Sequence, residues 1–322
     1  MPVLDMPLEQ LEKYTGRNPK PSDFNEYWER GLREMHSLEK NVKLVPSKFS
    51  APGADCLDLY FTGCGGARIH AQYMRPKNKT DIPAVLLFPG YSCPAGPWCG
   101  KLSYISSGIA VAAIDCRGQG EGLSEDSISV RGNTLHGHFV RGLADDNPDK
   151  LMFRNVFLDT AELAEIVMSF SEIDPERVAC VGASQGGGLA LACASLVPRI
   201  NRVSVAYPFL CDYKRAWEMD LVTRAYAELR DFFKYCDPRH LREQEIFERL
   251  GYIDVHNLAP RIKAKVNWGV GLQDSCCPPS TQYAAYNAIT SDKKISVYHD
   301  FDHEDLPEFW DMGYMFICEM LN

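Results

Sequence analysis

The sequence lacks the features that define several large classes of protein. Its 322 residues contain no apolar run of about 18 residues, so we expect no transmembrane helix and no membrane partner. Positive charge is in deficit, since 34 Lys and Arg residues stand against 43 Asp and Glu residues, a net charge of −9 at pH 7. This balance argues against nucleic acid as the main partner. Because 45% of the residues are hydrophobic, the chain can form a packed core.

Cysteine is present but is not arranged as a structural framework. None of the 12 cysteines forms a C-x-x-C pair, which a zinc ribbon or a thioredoxin motif would need. The first 24 residues lack a basic start followed by an apolar stretch, so we expect no secretory signal peptide. We therefore expect reduced thiols and a cytoplasmic location.

From residue 83 onward, short apolar runs alternate with helix-length stretches. Strands buried on both faces lose the polar alternation of half-exposed strands, so these runs predict a mostly parallel sheet. Strand and helix in alternation predict an α/β fold with helices on both faces of that sheet. The predicted strands are 84–88, 109–114, 177–181, 202–206, 264–270 and 294–298, and the predicted helices are 153–170, 187–197 and 279–289.

The remaining segments are predicted to be additions to a single domain over residues 1–322. Residues 1–40 are interpreted as an N-terminal extension that contains a helix over 23–38, and residues 42–75 as strands with a turn. Residues 208–260 are aromatic, charged and mostly helical in pattern. No Gly/Ser/Pro linker flanks them, so we interpret them as an insertion between sheet strands.

The strongest local motif is a G-x-S-x-G sequence, Gly182 to Gly186, between an apolar strand and a helix of small residues. A serine on so tight a turn needs small neighbours two positions away on each side. The turn would present the Ser184 hydroxyl at the top of the sheet, with the Gln185 N–H facing an oxyanion. The alternative is a Gly-rich turn with an incidental serine.

A nucleophilic serine needs a histidine base, and in α/β-hydrolases the order along the chain is Ser, acid, His. His303 lies in the loop after the last predicted strand, at the carboxyl edge where open α/β sheets bind ligands, and is the candidate base. His299 belongs to the strand end and is expected to pack. His240 and His256 lie in the insertion, where a structural or surface role is expected.

Four acids compete to orient His303. Asp274 follows the strand at 264–270 and precedes His303 by 29 residues, enough for one helix and one strand. Neighbours in sequence rarely orient their own histidine, so Asp300, Asp302 and Asp305 are the weaker candidates.

Two loops that follow predicted strands complete the candidate site. Tyr91 follows the first parallel strand, and its N–H is a candidate second donor to an oxyanion beside Gln185. Arg117 to Gly122 reads RGQGEG, and Leu123 stands where a dinucleotide fingerprint would need glycine. Two interpretations of this segment remain open. It could be an anion-binding turn, or Arg117 could brace the site by pairing with a carboxylate.

We expect neither a metal nor a cofactor. The pair His136-Gly-His138 could in principle bind a metal, but two histidines in such a loop are usually solvated.

Three spaced motifs together resemble one known family. RGQG at 117–120, GASQGG at 182–187 and His303-Glu304 resemble the signature of carbohydrate esterase family seven, the acetyl xylan esterases and cephalosporin-C deacetylases. The resemblance covers nearly the whole chain and includes LMFRNVFLDTAEL, YPFLCDY and GLQDSCCPPSTQYAAYN. It implies an α/β-hydrolase fold and the removal of acetyl groups from acetylated oligosaccharides and other small esters.

The resemblance also implies roles for particular residues. Ser184 would be the nucleophile, Asp274 the orienting acid and His303 the base, with the Tyr91 and Gln185 N–H groups forming the oxyanion hole.

It further implies that Arg117, Gln119 and Glu304 brace the histidine loop, with Glu304 pairing with Arg117. It implies a hexamer with active sites facing an internal chamber. Pro89 departs from the histidine found in many members. Another short-chain esterase, a peptidase on the same fold and a non-catalytic binding protein remain alternatives.

Overall fold

The computed structural model describes residues 4–125, 135–221 and 223–322. Within these ranges nine strands form one sheet in the order β1-β2-β3-β5-β4-β6-β7-β8-β9. The strands are β1 Lys43–Pro46, β2 Ala54–Thr62, β3 Arg68–Pro76, β4 Ile82–Phe88, β5 Ala110–Ile114, β6 Ile173–Ala183, β7 Arg202–Ala206, β8 Lys265–Gly271 and β9 Lys293–Tyr298.

The sheet is parallel where the apolar runs predict it. The pairs β5–β4, β4–β6, β6–β7, β7–β8 and β8–β9 are parallel, whereas β1–β2, β2–β3 and β3–β5 are antiparallel. The predicted mostly parallel α/β sheet is therefore confirmed. β6 begins four residues earlier than the apolar run, because Ile173 already pairs with Ile82 ahead of a register shift.

Eleven α-helices lie in the described ranges. They are α1 Leu8–Leu11, α2 Phe24–Ser37, α3 Leu102–Ser106, α4 Met152–Met168, α5 Gln185–Leu196, α6 Tyr213–Glu218, α7 Ala227–Cys236, α8 Glu243–Leu250, α9 Val255–Leu258, α10 Pro279–Ala288 and α11 Phe309–Cys318. The segment 208–260 is mostly helical, as predicted, and lies between β7 and β8. No helix in these ranges is both long and apolar enough to cross a bilayer.

The core has two layers because successive side chains of a strand point to opposite faces. On β4, Leu86 packs in the cluster that contains the apolar residues of α4 and α5. Its neighbour Val85 packs in the cluster with Ile105 of α3 and Phe316 of α11. Helices thus cover both faces of the sheet, and the loops at the carboxyl ends of β4, β6, β8 and β9 remain free to form a site.

Candidate active site

Ser184 occupies a sharp turn between β6 and α5. Its backbone has φ +55° and ψ −123°, a conformation that L-residues rarely adopt and that is found at functional sites. A Cβ on Gly182 would lie 2.2 Å from the Gly186 oxygen, and a Cβ on Gly186 would lie 2.1 Å from the Phe88 oxygen. The two glycines of the motif are therefore required for steric reasons.

Ser184, His303 and Asp274 are joined by hydrogen bonds. His303 Nε2 lies 3.0 Å from Ser184 Oγ, and His303 Nδ1 lies 2.9 Å from Asp274 Oδ2. An ionised carboxylate can only accept, so the neutral imidazole carries its proton on Nδ1 and accepts from the serine at Nε2. The structure thus brings the three predicted residues together in an arrangement that can activate a serine.

Asp274 is held by the start of the loop that follows it. Its side chain is fully buried, and Oδ1 accepts hydrogen bonds from the N–H groups of Cys276 at 2.9 Å and Cys277 at 2.7 Å. The competing acid Asp302 instead accepts from the Ser275 N–H at 2.8 Å. Oδ2 of Asp274 therefore faces His303 in a fixed position.

The surroundings of His303 increase its affinity for a proton. Burial alone would lower the pKa of His303, but the hydrogen bond and the negative charge of Asp274 outweigh burial and raise the pKa above its usual value. The Tyr207 ring covers the imidazole, with ring centroids 4.6 Å apart. A histidine in this setting accepts a proton readily and is shielded from water on one face.

Ser184 and His303 open into a cavity of about 590 Å³. The loop that follows β4 and carries Tyr91, called the oxyanion loop, contributes Gly90, Tyr91 and Cys93 to the cavity wall, and the insertion contributes Arg224 and Ala225. The lining is completed by Phe88, Ala183, Tyr207 and Cys276. Its volume is within the range of small-molecule sites, about 300–1,000 Å³.

The two predicted oxyanion donors lie on separate elements beside Ser184. Gln185 is the first residue of α5, so its N–H has no acceptor within the helix. Tyr91 lines the cavity, and its hydroxyl donates a hydrogen bond to Glu228 Oε1. Burial, with the hydrogen bond to Glu228, raises the pKa of Tyr91, so the hydroxyl keeps its proton and remains a donor.

Glu228 also fixes the loop that faces Tyr91. Its Oε1 accepts from the N–H groups of Gly137 at 3.1 Å and His138 at 3.0 Å. A Cβ on Gly137 would lie 2.3 Å from the Tyr91 ring, so the loop and the ring are in close contact. Glu228 is not predictable from the sequence, because nothing in the insertion's sequence indicates which of its acids turns inward.

Gln119 braces the oxyanion loop. Its Oε1 accepts from the Ser92 N–H at 2.8 Å and from Gln185 Nε2 at 2.9 Å, and its Nε2 donates to the Gly137 oxygen at 2.9 Å. The expectation that Gln119 braces the histidine loop is therefore wrong. Gln119 instead connects the two elements that carry the candidate oxyanion donors.

The expected pairing of Arg117 with Glu304 is also wrong. The buried Arg117 guanidinium donates to both oxygens of Asp159 on α4, at 2.5 and 2.7 Å, and to the Cys64 oxygen at 2.7 Å. Glu304 is exposed and accepts from the Asp302 N–H. A buried guanidinium needs a buried partner, which α4 supplies and the exposed histidine loop does not.

One group of possible metal ligands lies in the described ranges, and it adjoins the site. The thiols of Cys276 and Cys277 and a His303 ring nitrogen lie within 4.8 Å of one another. A hydrogen bond with Cys277 lowers the pKa of Cys276 to about 7, and burial raises the pKa of Cys277. His136 and His138 are not part of this group; their ring centroids are 6.4 Å apart.

The chain is similar to proteins of one known family. Residues 1–320 match the acetyl xylan esterase (AXE1) family. The crystal structure of acetyl xylan esterase 1 from Thermoanaerobacterium sp. JW/SL YS485 is 53% identical and superposes with a TM-score of 0.95, covering 99% of this chain and 100% of that one. Acetyl xylan esterase from Paenibacillus sp. R4 is 34% identical, with a TM-score of 0.89 over 97% of this chain and 99% of that one.

A curated relative is longer. Acetyl esterase Axe7A of Xylanibacter ruminicola is 26% identical over 299 residues, which is 89% of this chain and 63% of that protein. The chain thus spans less than two thirds of the length of this relative. The family match, the fold and the resemblance in the motifs agree: the chain belongs to the acetyl xylan esterase family of carboxylic ester hydrolases, on the α/β-hydrolase fold.

Proposed function

We propose that this protein is a serine esterase that removes acetyl groups from acetylated xylo-oligosaccharides and related small acetyl esters, including cephalosporin C. The observation that carries the proposal is the hydrogen-bonded series Ser184–His303–Asp274 opening into the cavity. Family membership and the similarity to two acetyl xylan esterases support the choice of acetyl esters as substrates.

The first half of the reaction forms an acyl-enzyme. Ser184 Oγ attacks the acetyl carbonyl carbon while His303 Nε2 takes the serine proton. Asp274 holds the imidazole by Nδ1 and stabilises its positive charge. The protonated His303 then gives the proton to the sugar oxygen, and the deacetylated alcohol leaves.

The second half regenerates the enzyme. A water molecule gives a proton to His303 Nε2 and attacks the acetyl group on Ser184, and acetate leaves as Ser184 recovers its proton. In both halves negative charge develops on the acetyl oxygen, where the N–H groups of Tyr91 and Gln185 would stabilise it. Losing one such donor commonly lowers kcat by about 10²–10³.

The proposed function is tested by acetate release from acetylated xylo-oligosaccharides and cephalosporin C, beside p-nitrophenyl acetate and octanoate. We expect release from both natural-type substrates and a strong preference for acetate over octanoate. Hydrolysis of the octanoate ester alone would keep the serine chemistry and overturn the substrate class. The same proteins are also assayed with acylated peptide substrates. Cleavage of these peptides instead of the acetyl esters would indicate a peptidase.

The proposal on assembly rests on the resemblance, and those on location and domain organisation rest on the sequence pattern. We propose a homohexamer with inward-facing active sites, in the cytoplasm, and a single domain over residues 1–322. Light scattering coupled to gel filtration measures the mass in solution. A mass near one 36.2 kDa chain would overturn the hexamer.

A further inference from the structure

Two adjacent thiols lie behind the candidate base, and the esterase mechanism uses neither. The Sγ atoms of Cys276 and Cys277 lie within 4.8 Å of each other. Both also lie within 4.8 Å of a His303 ring nitrogen. Two sulfurs and an imidazole nitrogen are the ligands that thiophilic d¹⁰ cations such as Zn²⁺ prefer.

The spacing of these groups is close to that of a tetrahedral site. With Zn–S bonds of about 2.3 Å and a Zn–N bond of about 2.0 Å, neighbouring ligands of a tetrahedral zinc lie about 3.5–3.8 Å apart. Ligand atoms within 4.8 Å of one another therefore need to approach by at most about 1.0–1.3 Å to reach this spacing. The backbone of the pair is already fixed, because Asp274 Oδ1 accepts from both cysteine N–H groups.

A cation can reach the pair from the cavity. Cys276 lines the same wall as Ser184 and His303, whereas Cys277 is buried behind it. Binding of a dication with release of one proton from each thiol leaves the net charge of the site unchanged, so no uncompensated charge is buried. The fourth position would face the cavity and take water.

We propose that Cys276, Cys277 and His303 form a binding site for a thiophilic divalent cation, which inhibits the esterase reversibly. Coordination consumes a ring nitrogen that the triad needs. Loss of Nε2 removes the acceptor for the Ser184 proton, and loss of Nδ1 removes the hydrogen bond to Asp274. In both cases His303 can no longer act as a base. The predicted inhibition therefore rests on the proposed function, whereas cation binding does not.

Cd²⁺ titration tests the binding without reference to activity. The ultraviolet thiolate-to-cadmium charge-transfer band is followed for the wild type and for C276S, C93S and H303A, each checked for folding by thermal unfolding. Cys93 is the matched control, because it lines the same cavity as an exposed thiol outside this group. We expect one equivalent bound by the wild type and C93S, at least tenfold weaker binding by C276S, and weaker binding by H303A with the band retained.

Zn²⁺ tests the functional consequence. Hydrolysis of p-nitrophenyl acetate is measured with and without Zn²⁺, and each protein is compared with its own untreated rate. Zn²⁺ should inhibit the wild type and C93S, and a chelator should restore their rates. Inhibition of C276S should require a Zn²⁺ concentration at least tenfold higher. Cd²⁺ bound equally by C276S and wild type would overturn the site. A cadmium band in a protein that hydrolyses no ester would overturn the proposed function and leave the site standing.

Discussion

The Glu228 carboxylate accepts a hydrogen bond from the Tyr91 hydroxyl and joins the helical insertion to the oxyanion loop. The same oxygen binds the N–H groups of Gly137 and His138, so one buried acid fixes both sides of this corner of the cavity. The insertion therefore has a role beyond covering the site: it sets the position of a residue whose N–H is a candidate oxyanion donor.

Removal of the Tyr91 hydroxyl tests this role. We expect Y91F to lower kcat on p-nitrophenyl acetate roughly tenfold, about 1.4 kcal/mol in activation free energy, with KM little changed. The Tyr91 N–H is still present in this variant, but its loop loses the hydrogen bond to Glu228 that holds it in place. E228A should cost at least as much, while E228Q, which keeps an accepting oxygen, should retain most of the rate. Wild-type kcat in Y91F would show that the anchor does not position the donor.

The pH profile reports on His303. The base acts when it is neutral, and Asp274 raises its pKa above the usual value of about 6.5, so kcat/KM should rise with pH through a midpoint above 6.5. In D274N the group that raises the pKa loses its charge. The midpoint should then move to lower pH, with a fall in kcat of about 10⁴, as in serine proteases with the equivalent change. An unmoved midpoint would mean that Asp274 does not control the titration.

The glycines of the serine turn can be tested by stability. G186A places a methyl group against the Phe88 oxygen, where no flexible side chain can yield, so we expect a loss of about 1–3 kcal/mol in unfolding free energy and a large loss of activity. Gly100 is the matched control, because a Cβ there lies 3.7 Å from Pro97 Cγ, an ordinary contact. Urea unfolding measures the free energy of unfolding of G186A and G100A. Equal stability of the two variants would show that Gly186 is not required for steric reasons.

The buried pair Arg117–Asp159 is expected to matter for stability. Removing one partner leaves the other charge buried, so R117M should cost about 3–5 kcal/mol in unfolding free energy. The double variant R117M/D159L removes both charges and should recover part of that loss, because the Cys64 oxygen still loses its donor. Urea unfolding of R117M, D159L and the double variant gives the interaction free energy between the two side chains. Additive losses would show that the two side chains do not act as a pair.

The sequence predicts those parts of the site that local chemistry determines. Ser184 is predicted from its glycines, because the turn excludes other residues there, and Asp274 and His303 are predicted from their order along the chain. The structure joins the three side chains by hydrogen bonds. The parallel strands are found because burial on both faces removes polar alternation.

The contacts that depend on tertiary packing are not predictable in this way. Glu228 looks like any other acid of a charged helix until α7 packs beside Tyr91. The partner of Arg117 is Asp159, 42 residues away on α4, and no short motif connects them. The thiols of Cys276 and Cys277 can be read as buried hydrophobic residues until the fold places them beside His303.

Ser184 is proposed to be an activated nucleophile, and labelling with a fluorophosphonate probe tests this proposal. Such a probe labels a serine only where a base removes its proton. We expect one label per chain on Ser184 of the wild type, with no label on S184A or H303A. S184A should also keep its fold and lose turnover by about 10⁴-fold or more. Labelling of S184A, or acetate release by S184A at the wild-type rate, would contradict the assignment of Ser184 as the nucleophile.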